Sequence, residues 1–362
     1  MHVNVYYMSD LLEIFNILAN VYKLIYRLKN MDPKKIKSSN DEFFVPLPIE
    51  DFLTGMKAAV DLYVRLSDEK FVLVFKNGLK TEQSQLAAYK EKSIRYLWAK
   101  ESEYAKMTEH SVVVAGIAVN SDQTTTPQKA KFVSQAATHI FNEFEHIGLT
   151  HEVFEQAKLV TNVTVTLVQN HNDLLGLLES MKGSSSELVR HSMAVSALSV
   201  VLGMGLGWKN KNTIEKLSLG GLMHDIGLKA LPPELICKPK IQMTSEELTI
   251  YESHPFKGME MVMSLGVVPD DIVSIIYEHH ENAIGQGFPR RLRNLKMHPL
   301  AKVVACADTF VHLVLANVNC PIPKSPREAI LYMEHTMGQP FDKEVFKVLR
   351  NITSDFPMDL AS

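Results

Sequence analysis

The run Gly221-Leu222-Met223-His224-Asp225-Ile226-Gly227 decides the fold of this chain. It is an apolar helical segment that ends in an adjacent histidine and aspartate. Burying two strong metal ligands at the end of a helix costs desolvation free energy unless a partner compensates for it. Imidazole and carboxylate groups are ordinary ligands of divalent metals. The run therefore predicts a metal site inside a helical core.

Further candidate ligands lie on both sides of this run: His191, His254, His279, His280 and Asp308. Each has apolar neighbours at helical spacing, which directs its side chain inward. Helical bundles build imidazole and carboxylate metal sites in their cores in this way. Other histidines are interpreted as ordinary core or surface residues, namely His139, His146, His151, His171 and His335.

Composition limits the class of protein and its partners. A length of 362 residues predicts about two domains. The apolar fraction of 46% is that of a globular protein, and the formal net charge of -3 disfavours a DNA partner. Cys237, Cys306 and Cys320 show no CxxC spacing, which argues against a disulfide framework. We therefore expect a cytoplasmic protein.

The first 30 residues leave alternatives open. Residues 10–28 predict an amphipathic helix, which either packs on its own domain or pairs with a second copy in a homodimer. Alternatively, residues 1–30 are a non-native extension before Met31. Asp10 and Glu13 interrupt the apolar run and no Lys or Arg precedes it, so neither a signal peptide nor a transmembrane segment is predicted.

The period of the apolar residues changes along the chain. Residues 40–120 predict a small α+β accessory domain with strands at 61–66, 71–75 and 94–98. Its position suggests an input role or a protein partner. Residues 121–182 predict a linker at 121–127 and connecting helices at 127–146 and 151–182. From 183 to 362 the sequence predicts an all-α bundle, with helices at 187–205, 211–227, 245–265, 269–281, 298–317, 325–337 and 342–351.

From about Glu187 to Phe341 the chain resembles the HD-GYP subgroup of the HD-domain metal-dependent phosphohydrolases. The resemblance rests on the following pieces in the family order: His191, His224-Asp225-Ile226-Gly227, His254-Pro255, His279-His280-Glu281, Gly285-Gln286-Gly287-Phe288-Pro289 and Ala307-Asp308-Thr309-Phe310. It implies an α+β domain followed by an all-α HD-domain bundle. It also implies hydrolysis of cyclic di-GMP by metal-activated water.

The resemblance implies two divalent transition-metal ions bridged by Asp225. One shell would be completed by His191, His224 and Asp308, and the other by His254, His279 and His280. Two such ions, about 3.5–4 Å apart, can clamp a phosphodiester. Ligation without thiolate suits iron or manganese, and the resemblance favours iron. Glu187 falls where some family members recruit a third ion, but we interpret it as an exposed glutamate at a helix start.

Catalytic and substrate roles follow from the same resemblance. It assigns catalysis to Asp225, His224 and Lys229. It assigns substrate contacts to Gly287, Phe288, Arg290 and Arg291. The two arginines follow the glycine-rich loop and could neutralise phosphate, although a charge run is also typical of a solvated face.

Several positions depart from the family pattern. Ile284 replaces an aspartate and Phe288 a tyrosine, so a carboxylate and a phenolic donor are lost. The family lysine falls on Leu228, with Lys229 one place late, and a family arginine falls near Asn317. Two main hypotheses remain: a phosphodiesterase with slow turnover, or a metal-containing cyclic di-GMP sensor or protein-interaction module. A phosphohydrolase acting on another nucleotide is the third.

Overall fold

The computed structural model describes residues 36–37, 42–49, 52, 57–67, 70–170, 187–338 and 340–354. The chain divides into two compact units, one of which spans Met31–Val163 while the other includes Thr164–Ser362. The predicted helix over 10–28 lies outside the described residues, as do His171 and the end of the predicted helix 151–182. The domain limits taken from the sequence stay a prediction.

The first unit contains a five-stranded antiparallel sheet in the order β1-β2-β5-β3-β4. Its strands are β1 (Ile36–Lys37), β2 (Phe43–Pro48), β3 (Leu62–Arg65), β4 (Phe71–Phe75) and β5 (Tyr96–Lys100). In β3, Leu62 and Val64 are buried while Tyr63 and Arg65 are half-buried, the alternation expected when one face of a sheet is covered. The predicted strands correspond to β3, β4 and β5, whereas β2 was not predicted.

Helices cover the rest of this unit. They are α1 (Gln83–Glu91), α2 (Tyr104–Val119), α3 (Thr126–Ile147) and α4 (His151–Gln169), the last of which crosses the boundary between the units. Thr125 begins α3 in a capping box, with its N–H donating to Gln128 Oε1 at 3.0 Å. Residues 121–125 therefore form a turn between α2 and α3, which pack together in one compact unit. The sequence had predicted a linker between domains here.

The second unit is all-helical. Its helices are α5 (Glu187–Gly205), α6 (Lys211–Met223), α7 (Pro233–Ile236), α8 (Ser245–Tyr251), α9 (His254–Met263), α10 (Asp270–Glu278), α11 (Pro299–Val314), α12 (Pro326–Leu331) and α13 (Lys343–Ser354). Helices α5, α6, α10 and α11 pack on one another and form the centre of the bundle. The predicted fold class, an α+β domain followed by an all-α bundle, is confirmed.

Two of the differences between the predicted and observed helices bear on the site. The helix predicted over 211–227 ends at Met223 and is followed by a 3-10 turn at Ile226–Ala230. The helix predicted over 245–265 divides into α8 and α9. Pro255 lacks an N–H and occupies the first turn of α9, where no intrahelical bond is lost.

Among the described helices, α5 alone is long and apolar enough to cross a membrane. In that window 72% of the residues are buried inside the unit. The helix also carries the buried His191. A core helix of a bundle has the same properties.

Candidate metal centre

The predicted ligands come from five elements of the bundle. His191 lies in α5 and Asp308 in α11, while His254 is the first residue of α9. His224 is the C-cap residue of α6, and His279 is the C-cap residue of α10. The sequence had placed all of these ligands within helices, but several lie where a helix begins or ends. Helix ends let side chains from several helices converge on one point.

Asp225 lies between two pairs of histidines and turns one oxygen toward each. Its Oδ2 is 3.2 Å from His224 Nε2 and 3.8 Å from His191 Nε2. Its Oδ1 is 3.2 Å from His254 Nε2 and 3.5 Å from His279 Nε2. Among the described residues, none forms a well-oriented hydrogen bond to this buried Oδ1. A buried carboxylate oxygen without such a partner is suited to a cation.

The potential ligand atoms form overlapping groups, in each of which the atoms lie within 4.8 Å of one another. One group consists of Asp225, His254, His279 and His280; another consists of His191, His224 and Asp308. These buried clusters are consistent with a binuclear metal site. The sequence named the same two sets around the same bridging carboxylate, and their binding of metal stays a prediction.

The second carboxylate, Asp308, completes the group on the α5 side. Its Oδ1 is 2.9 Å from His191 Nε2 and 3.6 Å from His224 Nε2. Its Oδ2 is 3.7 Å from His280 Nδ1. Asp308 therefore contacts ligands of both groups.

Three of the histidines are held in the same way. His224, His254 and His279 each direct Nδ1 to the backbone oxygen three residues earlier, those of Gly221, Tyr251 and Ile276, at 2.8 Å. A carbonyl oxygen only accepts, so each Nδ1 carries a proton, and each Nε2 presents a lone pair when the ring is neutral. This is how metal-ligating histidines are oriented in general.

Buried charges of both signs stabilise one another at the centre. Burial alone would raise the pKa of Asp225, but neighbouring His224 holds it well below its usual range. Burial would lower the pKa of His224, yet Asp225 and Asp308 raise it well above the usual value. Burial also lowers the pKa of His279 and, together with neighbouring His279 and His254, places that of His280 well below its ordinary value. Ionised carboxylates and neutral imidazoles are the forms that bind divalent metals, so a metal at this centre would take the place of the proton that His224 favours in its absence.

His312, which the sequence analysis did not single out, also lies at the cluster. Its Nε2 is 3.4 Å from Asp308 Oδ1, and its ring stacks on that of His191 with centroids 4.2 Å apart. Its Nδ1 is buried and makes no hydrogen bond within the described part of the chain. Burial and the neighbouring His191 lower its pKa to about 3. With His191 and Asp225 it forms a further group of potential ligands. Its position four residues after Asp308 was the available signal.

The glycine-rich loop 285–289 is braced by Glu281. The Glu281 carboxylate accepts hydrogen bonds from Arg290 N at 2.6 Å and Leu292 N at 2.7 Å. A Cβ at Gly287 would lie 2.3 Å from His280 O, so the loop fits there only with glycine. Ile284 contributes no carboxylate to this loop, whereas Glu281 does, and the effect of the missing aspartate on the loop stays a prediction.

Phe288 forms a wall beside the second group of ligands. Its ring centroid is 4.5 Å from that of His280 and 6.1 Å from that of His254. Its N–H donates to His280 O at 3.1 Å. The aromatic ring thus packs on two metal-ligand candidates, and it has no hydroxyl to offer a substrate.

The remaining predicted contacts are Arg290, Arg291 and Lys229. Arg290 pairs with Glu278 at 3.5 Å and its guanidinium lies over the Tyr277 ring. Arg291 is exposed, and Lys229 is half-buried in the 3-10 turn Ile226–Ala230. Their roles in substrate binding or catalysis stay predictions.

Asn317 has a structural role. Its Nδ2 donates to His312 O at 2.7 Å and to Leu315 O at 2.8 Å. Its Oδ1 accepts from Asn319 N and Cys320 N, each at 2.9 Å. Because its amide is used by the backbone of residues 312–320, Asn317 holds this loop in shape.

Residues 176–345 match a family model described as an HD domain. The chain is 25% identical over 292 residues to the cyclic di-GMP phosphodiesterase PA4108 of Pseudomonas aeruginosa, covering 76% of this chain and 69% of that protein. It is 27% identical over 178 residues to the cyclic di-GMP phosphodiesterase PdeB of Borreliella burgdorferi, covering 49% of this chain and 46% of that one.

Two further comparisons concern a different nucleotide and the fold. The chain is 30% identical over 176 residues to 3'3'-cGAMP-specific phosphodiesterase 1 of Vibrio cholerae, covering 48% of this chain and 39% of that protein. Among solved structures, Bd1817, an HDG"Y"P protein from Bdellovibrio bacteriovorus, matches with a TM-score of 0.67 and 22% identity, over 86% of this chain and 99% of that one. At that identity the structural match speaks for the fold alone.

Proposed function

We propose that this chain, whose HD domain is related to those of the HD-GYP cyclic di-GMP phosphodiesterases, is a metal-dependent phosphodiesterase acting on cyclic di-GMP. It would bind two divalent transition-metal ions, with iron favoured and manganese as the alternative. The reaction would be hydrolysis of a phosphodiester bond of the cyclic dinucleotide.

The observation that carries the proposal is the position of Asp225. Its two oxygens face different histidine pairs at 3.2–3.8 Å. A carboxylate so placed can hold two ions side by side, as two-metal phosphoesterases require. A single structural ion would need only one of the two groups.

The chain's residues have distinct tasks in this proposal. His191, His224, Asp225 and Asp308 would hold one ion, and Asp225, His254, His279 and His280 the other. When bound, the pair of ions would supply Lewis acidity toward water and phosphate oxygens. Phe288 would pack against the ligand and limit access of water, while Glu281 keeps the loop in place.

The test uses anaerobically purified protein whose metal content is known. It should be incubated with cyclic di-GMP and, separately, with 3'3'-cGAMP, while binding is measured by calorimetry and product by chromatography. We expect cyclic di-GMP to be bound and hydrolysed, and Asp225→Asn to abolish product. His335→Ala, which changes an exposed histidine outside the cluster, should behave as the unaltered protein. A metal-loaded protein that neither binds nor cleaves cyclic di-GMP would refute the proposal.

A second candidate is a cyclic di-GMP sensor that keeps its metals and turns over little substrate. It is favoured by two observations: Phe288 offers no phenolic donor, and the Asn317 amide is occupied by its own loop. We expect hydrolysis to be slow for this reason. Phe288→Tyr should raise kcat more than affinity if the missing hydroxyl limits turnover. Tight binding with no product from either protein would favour the sensor.

A further inference from the structure

Lys240 lies beside the candidate metal centre, on an element that the sequence analysis assigned no role. It begins the 3-10 turn Lys240–Gln242, between α7 and α8. Its Nζ is 4.6 Å from the centroid of the Tyr251 ring. That ring in turn lies 5.3 Å from the ring of His254, a candidate ligand. The lysine ammonium therefore lies over a buried tyrosine that itself contacts a candidate ligand.

The backbone of Lys240 is tied to the loop that follows α11. Its N–H donates to Asn319 Oδ1 at 2.8 Å. Asn319 is fixed by Asn317, which accepts its N–H at 2.9 Å. Because α11 also carries Asp308 and His312, the same helix positions metal-ligand candidates and, through this loop, Lys240. The position that lacks the family arginine thus helps to place another cation.

The charge of Lys240 acts on the ligands. Burial lowers the pKa of Lys240, while Asp308 and Asp225 favour its charged form. Its positive charge is one of the influences that lower the pKa of His280 and of His312. No carboxylate lies within ion-pair distance of its Nζ in the described part of the chain. Its ammonium is held over an aromatic face, which leaves hydrogen-bond donors for another group.

Other cations of this region are already engaged. Arg290 pairs with Glu278, and Lys238 pairs with Glu247. Lys257 Nζ donates to Ala230 O at 3.3 Å. Lys240 differs from them because its strongest electrostatic neighbours are Asp308 and Asp225, both at the metal centre.

We propose that Lys240 is a substrate-contacting residue that donates from Nζ to a non-bridging phosphate oxygen of a phosphate or phosphodiester held at the metal centre. The proposal rests on the proposed function for the identity of the substrate, but it concerns phosphate recognition by this chain in general. Lys240 thereby supplies a cation that the uncharged Asn317 does not. A charge-assisted bond of this kind gives at least about a tenfold effect on affinity.

The experiment uses the full chain loaded with Mn²⁺ and inorganic phosphate as the probe, followed by calorimetry. Lys240→Met should weaken phosphate binding at least about tenfold while elemental analysis still finds two Mn²⁺ per chain. Lys240→Arg should restore most of the affinity because it keeps the charge. Lys211→Met, on an exposed lysine at the start of α6, is the control and should change affinity by less than about twofold.

Two results would overturn the assignment. Phosphate affinity that is unchanged in Lys240→Met, with metal retained, would show that Nζ does not contact the anion. Loss of metal or of the folded state in Lys240→Met, with Lys240→Arg equally affected, would assign the residue to the scaffold instead.

The same variants separate this inference from the proposed function. If phosphate binding depends on Lys240 but the protein neither binds nor cleaves cyclic di-GMP, the proposed substrate is refuted and the phosphate contact is supported. If Lys240→Met cleaves cyclic di-GMP with the kcat and KM of the unaltered protein, the phosphodiesterase activity is supported and the role of Lys240 in substrate binding is refuted.

Discussion

Replacing Gly227 by alanine should displace α9 from the turn that carries Asp225. Gly227 lies two residues after Asp225, and a Cβ at this position would lie 1.9 Å from His254 O and 2.6 Å from Gly258 N. Both neighbours are backbone atoms of α9, so neither can rotate away. The helix itself has to move.

The size of the movement follows from that contact. A Cβ atom essentially never lies closer than 3.0 Å to a neighbouring heavy atom. Because the contact with His254 O would be 1.9 Å, the start of α9 must move away from residue 227 by about 1.1 Å. His254 is the first residue of α9, and its Nε2 lies 3.2 Å from Asp225 Oδ1. Metal ligands tolerate displacements of only about 0.2 Å. We expect the group of His254, His279 and His280 to lose its ion, and the free energy of unfolding of the metal-free unit to fall by about 1–3 kcal/mol.

Two measurements check this prediction. Elemental analysis after gel filtration should find one ion per chain in place of two. Denaturant unfolding of metal-free protein, followed by Trp208 fluorescence in a Trp98→Phe background, reports the helical unit, because these are the two tryptophans of the chain. Gly116→Ala in the first unit is the control, since its Cβ would meet its nearest neighbour, Val163, at an ordinary 3.8 Å.

The reasoning would be refuted by a Gly227→Ala protein that keeps two ions and unfolds within about 0.5 kcal/mol of the unaltered protein, the range of harmless surface changes. The close approach of the two backbones would then not constrain the site. Loss of stability with both ions retained would mean that α9 moves without carrying His254 away from its ion.

Three further predictions concern single side chains. Asp225→Asn should hold at most one ion per chain, because the amide nitrogen cannot ligate; two ions by elemental analysis would contradict a bridging role. His312→Ala should weaken the binding of one ion at least about tenfold in a chelator competition, and unchanged affinity would exclude His312 from the shell. Burial lowers the pKa of His139 to about 4, below its value when unfolded, so the unfolded chain binds more protons. The stability of the first unit is then complete above about pH 6.5 and falls by up to about 3 kcal/mol as the pH drops to about 4. His139→Leu should remove this dependence, whereas His151→Leu, on an exposed residue, should not.

Helices were predictable where local chemistry marks their ends. Thr125, Pro127 and Gln128 give α3 its start by capping, and the structure places it within one residue of the prediction. Strand β2 was missed because Pro46 and Pro48 interrupt its pattern, since proline is disfavoured in a paired strand. The division between α8 and α9 was missed because apolar periodicity continues across it, and the proline that marks it is compatible with either interpretation.

The candidate site was predictable where its ligands occur in short motifs of neighbouring residues. All seven nominated ligands lie in the two groups around Asp225. What escaped prediction depends on contacts between distant segments. His312 becomes notable only when its ring is found against His191, and Lys240 only when its turn is found anchored to Asn319. The position of His312 four residues after Asp308 indicates a shared helix face. No spacing in the sequence encodes its contact with His191 or the contact of Lys240 with Asn319.

The backbone bonds of His224, His254 and His279 bear on how such a centre withstands mutation. The acceptors are main-chain oxygens of Gly221, Tyr251 and Ile276, which every amino acid possesses. A side-chain acceptor could be lost in one substitution, whereas these remain for as long as the helix ends where it does. Substitutions around the centre can therefore change which nucleotide binds or how fast it is hydrolysed while the three imidazole rings keep their orientation.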